Sequence, residues 1–332
     1  MKREHSEQTS IHTTTSTISW ANRLDHVVAR LGVRRRAHRV EPGLYALGSP
    51  TAQSPVLVTA NYTLSFDALR SALRGRDAYI LVLDTEGINV WCAAGKGTFG
   101  TEELVRRILA TNLARVVSHR RVIVPQLGAS GVAAHLVAEV AGFTVEFGPV
   151  RAADLPTYLD TGRATPEMRR VRFALRDRLV LIPVEFVHSL VPMIVAAVIL
   201  WFAGGWLPAL AAPIAVVAGT VLFPTLLPWL PTPNFSTKGF VLGLLAWLPL
   251  ALALVLAKSG VSSPAGRWAW VGITALGVPA VVAFLGLNFT GATPVTSRSG
   301  VEREILRYVP LMAGMGVISL VGIVTMAILR VA

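Results

Sequence analysis

The chain has 332 residues, 53% hydrophobic and only 15% charged, with a formal charge of +12 and one cysteine. A composition so apolar excludes an ordinary soluble protein along the whole length. A single cysteine excludes an intrachain disulfide framework and a self-contained cysteine-ligated iron–sulfur cluster.

The apolar excess is unevenly placed. Up to about residue 178 the charge density is that of a globular domain, and beyond it long uncharged runs dominate, as in a soluble head followed by a membrane domain. Residues 1–20 hold His, Ser and Thr without an apolar run, which excludes a signal peptide and reads as a disordered tail. The head follows over 21–165. Arginines gather at 34–39, at 115–121 and above all at 169–178, but the first cluster lacks the interleaved aromatics of a base-stacking platform, so nucleic acid is not the expected partner. The third cluster abuts the first apolar run, where anionic headgroups favour it.

Within the head, residues 56–60 read as a strand, 65–73 as a helix, 78–84 as a strand and 101–109 as a helix. A strand at 121–125, a helix at 130–141 and a short strand at 144–147 complete the pattern. Such alternation predicts an α/β, Rossmann-like parallel sheet with helices on both faces, and ligands lie outside the carboxyl ends of its strands. The stretch 84–100 leaves one such strand end.

A basic linker helix is expected over 166–179, then a membrane domain over 180–332. Five segments are apolar and long enough to span a bilayer at roughly 20 residues each: about 180–203, 207–230, 239–257, 268–289 and 309–329. Trp201, Trp206, Trp229, Trp247, Trp268 and Trp270 lie mostly near their ends, as an interfacial aromatic belt would. The arginines at 169–178 place the head in the cytoplasm, on the inner membrane, and return the loops 231–238 and 290–307 to the same side. The 258–267 loop, with Lys258 and Arg267, falls outside against the charge rule. Glu185 and His188 share a face of the first span, as a wet structural pair or a transport element; against transport, the spans have few ionisable residues and no paired cysteines.

Several motifs are excluded by spacing. G-K-G-T at 95–98 has Val90, not glycine, five positions before its Gly–Lys pair, so it is no phosphate loop. The cobalamin-docking pattern Asp-x-His-x-x-Gly is absent, and His26, His38, His119 and His135 stand apart without metal-ligand spacing. What remains is N-V-W-C-A-A-G-K, 89–96, at the expected strand end. Its cysteine, Cys92, reads as a small buried hydrophobe, as a nucleophile with only Lys96 near, or as a lone metal ligand. The third reading requires a macrocycle that brings its own equatorial donors, with Ala93, Ala94 and Gly95 small enough for backbone to approach it.

N-V-W-C-A-A-G-K resembles the signature of the corrinoid protein of microbial mercury methylation, a family similar in turn to the large subunit of the corrinoid iron–sulfur protein of the acetyl-CoA pathway. The stretches at 55–70, 84–90 and 287–301 fit that wider kinship; the run 97–100 and the arginine-rich head depart from it. The resemblance implies a corrinoid-binding head before a five-helix membrane domain. It implies Cys92 as the lower ligand of the corrinoid cobalt, on a cap helix formed by Asn89, Val90, Trp91, Ala93, Ala94, Gly95 and Lys96. Thr59, Asn61, Thr85, Glu86 and Gly87 would line the pocket. The implied activity is a corrinoid-dependent methyltransferase moving a methyl group from methyl-cobalt(III) to mercury(II). Its implied partners are a small ferredoxin-like protein with two 4Fe–4S clusters as electron donor, a methyl-donor methyltransferase system and membrane lipids. A corrinoid methyl carrier of one-carbon metabolism is the rival reading.

Overall fold

The computed structural model describes residues 11–34, 37–256, 263–293 and 296–331. It divides into a head, whose body runs over Val33–Val171, and a helical unit from Arg172 onward. Residues 1–10 of the expected tail, Arg35 and Arg36 of the first arginine cluster, 257–262 of the outer loop, Pro294 and Val295, and Ala332 lie outside the described residues.

The head is built on six strands, β1 His12–Thr14, β2 Gly43–Leu47, β3 Val56–Ala60, β4 Ala78–Leu83, β5 Arg121–Val124 and β6 Thr144–Phe147, in the order β1-β2-β4-β3-β5-β6. β4, β3, β5 and β6 form a parallel set, while β2 runs antiparallel to β4 and carries β1 at the edge. Every residue of β3 and β4 is buried, the signature of strands covered on both faces. Alternation sends Val56, Val58, Ala60, Leu81 and Leu83 to one core and Leu57, Ile80 and Val82 to the other. Helices α1 Trp20–Arg30, α2 Thr63–Ala72, α3 Val90–Lys96, α4 Thr101–Ala110, α5 Leu113–Val116, α6 Ala134–Ala141 and α7 Leu155–Thr161 complete the head. The cluster on the first face draws on α3 to α6, and that on the second on α2 and α7.

All four expected strands are present, but the sheet is mixed. β2 begins at Gly43 between Pro42 and Gly48, and these breakers mask a strand signal in the sequence. The tail expectation fails over His12–Thr14. These residues pair with Tyr45–Leu47, and the His12 ring stacks on Tyr45 at 4.8 Å between centroids. The isolated histidines are structural: His26 meets Asp67 at 2.7 Å, His38 meets Asp25 and the Val33 carbonyl, and His119 meets the Ser54 carbonyl.

The helical unit comprises α8 Leu175–Leu179, α9 Ile182–Gly204, α10 Trp206–Ala209, α11 Ala211–Val217, α12 Phe223–Leu226, α13 Phe235–Leu256, α14 Pro264–Asn288 and α15 Arg298–Val331, with a π-helical turn at Ala218–Leu222. Among the described residues five helical stretches are long and apolar enough to cross a membrane: Leu175–Gly204, Trp206–Leu226, Phe235–Leu256, Pro264–Ala292 and Ser299–Leu329. The expected basic linker helix is helical only from Leu175, because Phe173 takes a left-handed φ of 44° and Asp177 accepts from the Ala174 amide at 3.0 Å to start a new helix. The expected loop to residue 307 is helix from Arg298; hydropathy marks apolar length, whereas charged Glu302–Arg307 extends α15 without it. Of the six tryptophans, Trp201, Trp206, Trp229 and Trp268 are exposed at helix ends. Trp270 is buried under Gly204, and Trp247 donates to Thr274 at 3.0 Å, so these two pack inside the unit. Glu185 and His188 lie one turn apart on α9 with no ion pair between them among the described residues.

Candidate functional site

β3 and β4 are parallel neighbours, so their carboxyl ends, Asn61 and Asp84, emerge side by side, and the Asn61 amide donates to the Leu83 carbonyl at 3.0 Å. The chain goes from β3 to β4 on one side and then crosses to β5 on the other. This makes β3 the point where strand order reverses, and crevices at such points are where α/β sheets bind ligands. α3 packs against β3 and against the 3₁₀ turn Gln126–Gly128 that follows β5, and so covers that point.

A turn at Thr85–Ile88 sets the approach to α3. Glu86 and Gly87 both have positive φ, 58° and 73°, and the Ile88 amide donates to the Thr85 carbonyl at 3.1 Å. Two consecutive left-handed residues cost a non-glycine such as Glu86 about 1 kcal/mol or more, so the turn needs external support. Asn61 gives it. Its Oδ1 accepts from the Thr85 amide (3.1 Å), the Thr85 hydroxyl (2.9 Å) and the Gly87 amide (3.0 Å), and its Nδ2 donates to Asp84 at 3.1 Å. Asn61 and Thr85 are both buried. Glu103 closes the other side by accepting from the Asp84 amide at 2.8 Å while Arg107 pairs with it at 2.8 Å.

α3 then starts at a well-formed cap. Asn89 has extended backbone and its side chain accepts from the Cys92 amide at 2.9 Å, and Gly97 ends the helix in the left-handed region at φ 86°. Seven residues leave a sharp division of faces. Val90, Ala93 and Ala94 are buried, whereas Trp91, Gly95 and Lys96 are exposed and Cys92 is half-buried. A Cβ built on Gly95 meets nothing within 4 Å, so Cys92 stands beside open space on its helix face. Gly131 lies against the inner side, where an added Cβ would come 2.2 Å from the Phe99 carbonyl oxygen and 3.2 Å from the Ala94 Cα.

The structure therefore brings together most of the expected site residues but gives them different tasks. Trp91, Cys92, Gly95 and Lys96 form the open surface. The smallness of Ala93 and Ala94 serves packing onto the sheet and the Gly131 loop, and only Gly95 clears the outer face. Asn61, Thr85, Glu86 and Gly87 build the turn that aims the helix, with the Asn61 amide wholly engaged there. Thr59 is buried on the Leu57 side of β3, the face under α2, and strand alternation separates it from α3. Sequence reasoning missed Glu103 and Gly131. The acidic first turn of α4 with Arg106 and Arg107 at i+3 and i+4 was the signal for the former, and G-A-S-G at 128–131 for the latter.

A macrocyclic cofactor needs one axial donor and a flat approach, and this surface offers a half-buried sulfur next to a position without a side chain. Among the described residues no three His, Cys, Asp or Glu side chains converge to hold a bare metal ion. The donor set thus fits a group that carries its remaining ligands itself.

Residues 33–159 match the sequence profile of the family described as CO dehydrogenase/acetyl-CoA synthase delta subunit. The chain is 34% identical over 128 residues to the acetyl-CoA decarbonylase/synthase complex subunit gamma of Methanopyrus kandleri, which is 38% of this chain and 27% of that protein. It is 37% identical over 98 residues to the subunit gamma of Methanocaldococcus jannaschii, covering 29% of this chain and 20% of that protein. Over 122 residues it is 29% identical to the corrinoid/iron-sulfur protein large subunit of Moorella thermoacetica, covering 36% and 27%. The chain thus spans about a quarter of the length of these relatives.

Proposed function

We propose that the head binds a corrinoid, that the Cys92 sulfur is the lower ligand of its cobalt, and that the protein transfers a methyl group to mercury(II) from the cytoplasmic face of a membrane crossed by the five helices. One observation carries the reading: a lone, half-buried thiol on the open face of a capped helix at the point where strand order reverses, inside the region that matches corrinoid-protein relatives. When bound, the corrinoid would supply a transferable methyl group for an electrophile such as mercury(II), and Cys92 would hold its cobalt through an electron-rich sulfur.

The chain's own residues do the positioning. Asn89 fixes the Cys92 backbone, so the sulfur presents one direction. Gly95 leaves room for a flat ring, Trp91 offers an apolar surface beside it, and Lys96 puts a cation at its edge. The Asn61-braced turn holds the start of α3, which preorganises the sulfur without a conformational change on binding. Re-reduction and remethylation fall to partners: a ferredoxin-like protein with two 4Fe–4S clusters and a methyl-donor methyltransferase system.

The relatives, an acetyl-CoA decarbonylase/synthase complex subunit and a corrinoid/iron-sulfur protein large subunit, favour a second reading, a methyl carrier within a multi-subunit acetyl-CoA-type complex. The same site serves both, so the product discriminates: methylmercury formed from mercury(II) with reductant supports the first, and its absence with corrinoid bound supports the second.

The test is an absorption spectrum of the full chain reconstituted with cobalamin. Wild type takes up the corrinoid with a thiolate-to-cobalt band. Cys92→Ala keeps the fold, loses that band and loses most methyl transfer; normal transfer by this variant removes the ligand role. Gly95→Val fills the open space, keeps the head's unfolding midpoint within about 1 kcal/mol, and loses corrinoid uptake. Uptake unchanged in Gly95→Val places the ring elsewhere.

A further inference from the structure

The helical unit contains a second built site, unrelated to Cys92. A cavity of about 540 Å³ is lined by Arg172, Arg178, Lys238, Arg303, Arg307 and Glu304. The one carboxylate among these is already committed. Glu304 accepts from the Phe235 amide (3.1 Å), the Ser236 amide (2.9 Å) and the Ser236 hydroxyl (3.0 Å), capping the start of α13. Among the described residues, five cationic side chains therefore line a cavity whose one acid is engaged in a cap.

Arg178 is the most constrained of the five. The side chain is buried, with 5% of its surface exposed. Its Nη1 donates to the Pro224 and Thr225 carbonyls at 2.8 and 3.0 Å, which fixes the guanidinium at the end of α12. Its Nε is fully buried with no hydrogen-bond partner among the described residues. A buried charged donor without an acceptor costs more than about 1 kcal/mol, and the residue that carries this charge lines the cavity. Lys238 is likewise held, donating to the Leu230 carbonyl, while no hydrogen bond or ion pair engages Arg303 among the described residues.

The location identifies the anion's chemical class. The lining comes from the start of the first long apolar stretch (Arg178), the residues just after the second (Leu227), the start of the third (Lys238) and the start of the fifth (Arg303, Arg307). In helices that cross a membrane alternately, these are ends on one and the same face, at headgroup depth. The same cavity carries apolar walls from Leu227, Phe235 and Val301, which a fully hydrated ion does not need. On the reading that these helices cross a membrane, we infer that the cavity binds the phosphate of an anionic phospholipid, headgroup among the arginines and acyl chains along α13 and α15.

The test uses the full chain in a neutral detergent, with dioctanoyl phosphatidylglycerol, dioctanoyl phosphatidylcholine and inorganic phosphate as probes, read by native mass spectrometry and by the unfolding midpoint. The phosphatidylglycerol binds and raises the midpoint, the phosphatidylcholine binds at least about tenfold more weakly, and inorganic phosphate does not compete at equal concentration. R303Q/R307Q, at exposed positions that leave the helix caps intact, weakens phosphatidylglycerol about tenfold or more with phosphatidylcholine unchanged. Equal binding of the two lipids, or a double variant that binds as wild type, overturns the inference. Inorganic phosphate competing as well as the lipid overturns it too, because the apolar walls would then contribute nothing. A chain that stays in solution without detergent instead fails the membrane reading itself, a separate result.

Discussion

The head and the helical unit differ in what brings their distant segments closest together. In the head, buried polar side chains reach across the fold: Asn61 bonds residues 24 and 26 positions away, Glu103 accepts from the Asp84 amide, and Arg70 donates to the Thr15 and Thr17 carbonyls at 2.6 Å. In the helical unit, buried threonines turn back on their own helices, Thr220 to the Val216 carbonyl and Thr274 to that of Trp270. Polar bridges cross that unit too, Glu304 to Ser236 and Trp247 to Thr274 among them, but the closest approach of α13 to α14 falls to glycine. G-F-V-L-G at 239–243 lays α13 directly on α14, with a Cβ on Gly239 coming 2.5 Å from the Ala283 Cα and one on Gly243 coming 2.6 Å from the Pro279 Cα. Where water competes, a polar bridge must be buried and complete to be worth forming. Where the surroundings are apolar, close backbone contact takes its place.

The largest effect should come from cutting the head's central bridge. Asn61→Leu removes the acceptor for three donors, two of them amides of the buried residues Thr85 and Gly87, and abandons the strained Glu86–Gly87 turn. Each orphaned buried donor costs about 1–3 kcal/mol, so the loss should reach about 3 kcal/mol or more. Hydrogen exchange should show it first at residues 84–97. An unchanged exchange pattern there means the turn stands without Asn61.

That bridge also marks the limit of what the sequence alone conveys. Of the four parallel strands, β4 and β5 were legible from runs of Ile, Leu and Val, and the place of Cys92 beyond a strand end was legible from the apolar run before it. The division of labour was not. Asn61 and Thr85 look like pocket polars in the sequence, but only the meeting of two strand ends shows that they satisfy one another. Ala93 and Ala94 look like clearance for a ligand, and only the position of Gly131 shows that they clear backbone instead. β1 escaped because three residues with two threonines carry too little apolar signal, and its stability comes from the His12–Tyr45 stack and the β2 ladder.

A smaller effect, on the other side of the comparison, follows from Gly239→Leu. The added side chain has the Ala283 Cα in its way, and backbone cannot move aside as a side chain can, so α13 and α14 must separate. Overpacking of this kind costs about 1–3 kcal/mol. The change should appear as a lower unfolding midpoint in detergent and faster exchange in α13 and α14, with residues 84–97 untouched. Slower exchange in that helix pair would mean that close contact does not hold them.

The smallest and most diagnostic effect is pH dependence confined to the head. His38 is buried, its Nδ1 lies 2.6 Å from an Asp25 oxygen and its Nε2 lies 2.7 Å from the Val33 carbonyl oxygen. Both neighbours are acceptors, so the ring satisfies both only as the imidazolium donating from each nitrogen. Burial opposes that charge, but the Val33 carbonyl and the Asp25 carboxylate outweigh it, and the pKa stands above the ordinary histidine value of 6.5. A folded-state pKa raised above the unfolded one gives stability that is complete below pH 6.5 and lost as pH rises through the folded value. Exchange at α1 and at the strand end near Asn61 should therefore quicken as pH rises above 6.5, after correction for intrinsic rates, while α13 and α14 stay constant. His38→Gln, which cannot be charged, should flatten that slope and leave the head less stable at pH 6. A slope that survives the substitution would trace the pH response to another group and remove His38 from the account of how polar bridging, unlike glycine contact, makes this half of the molecule answer to protons.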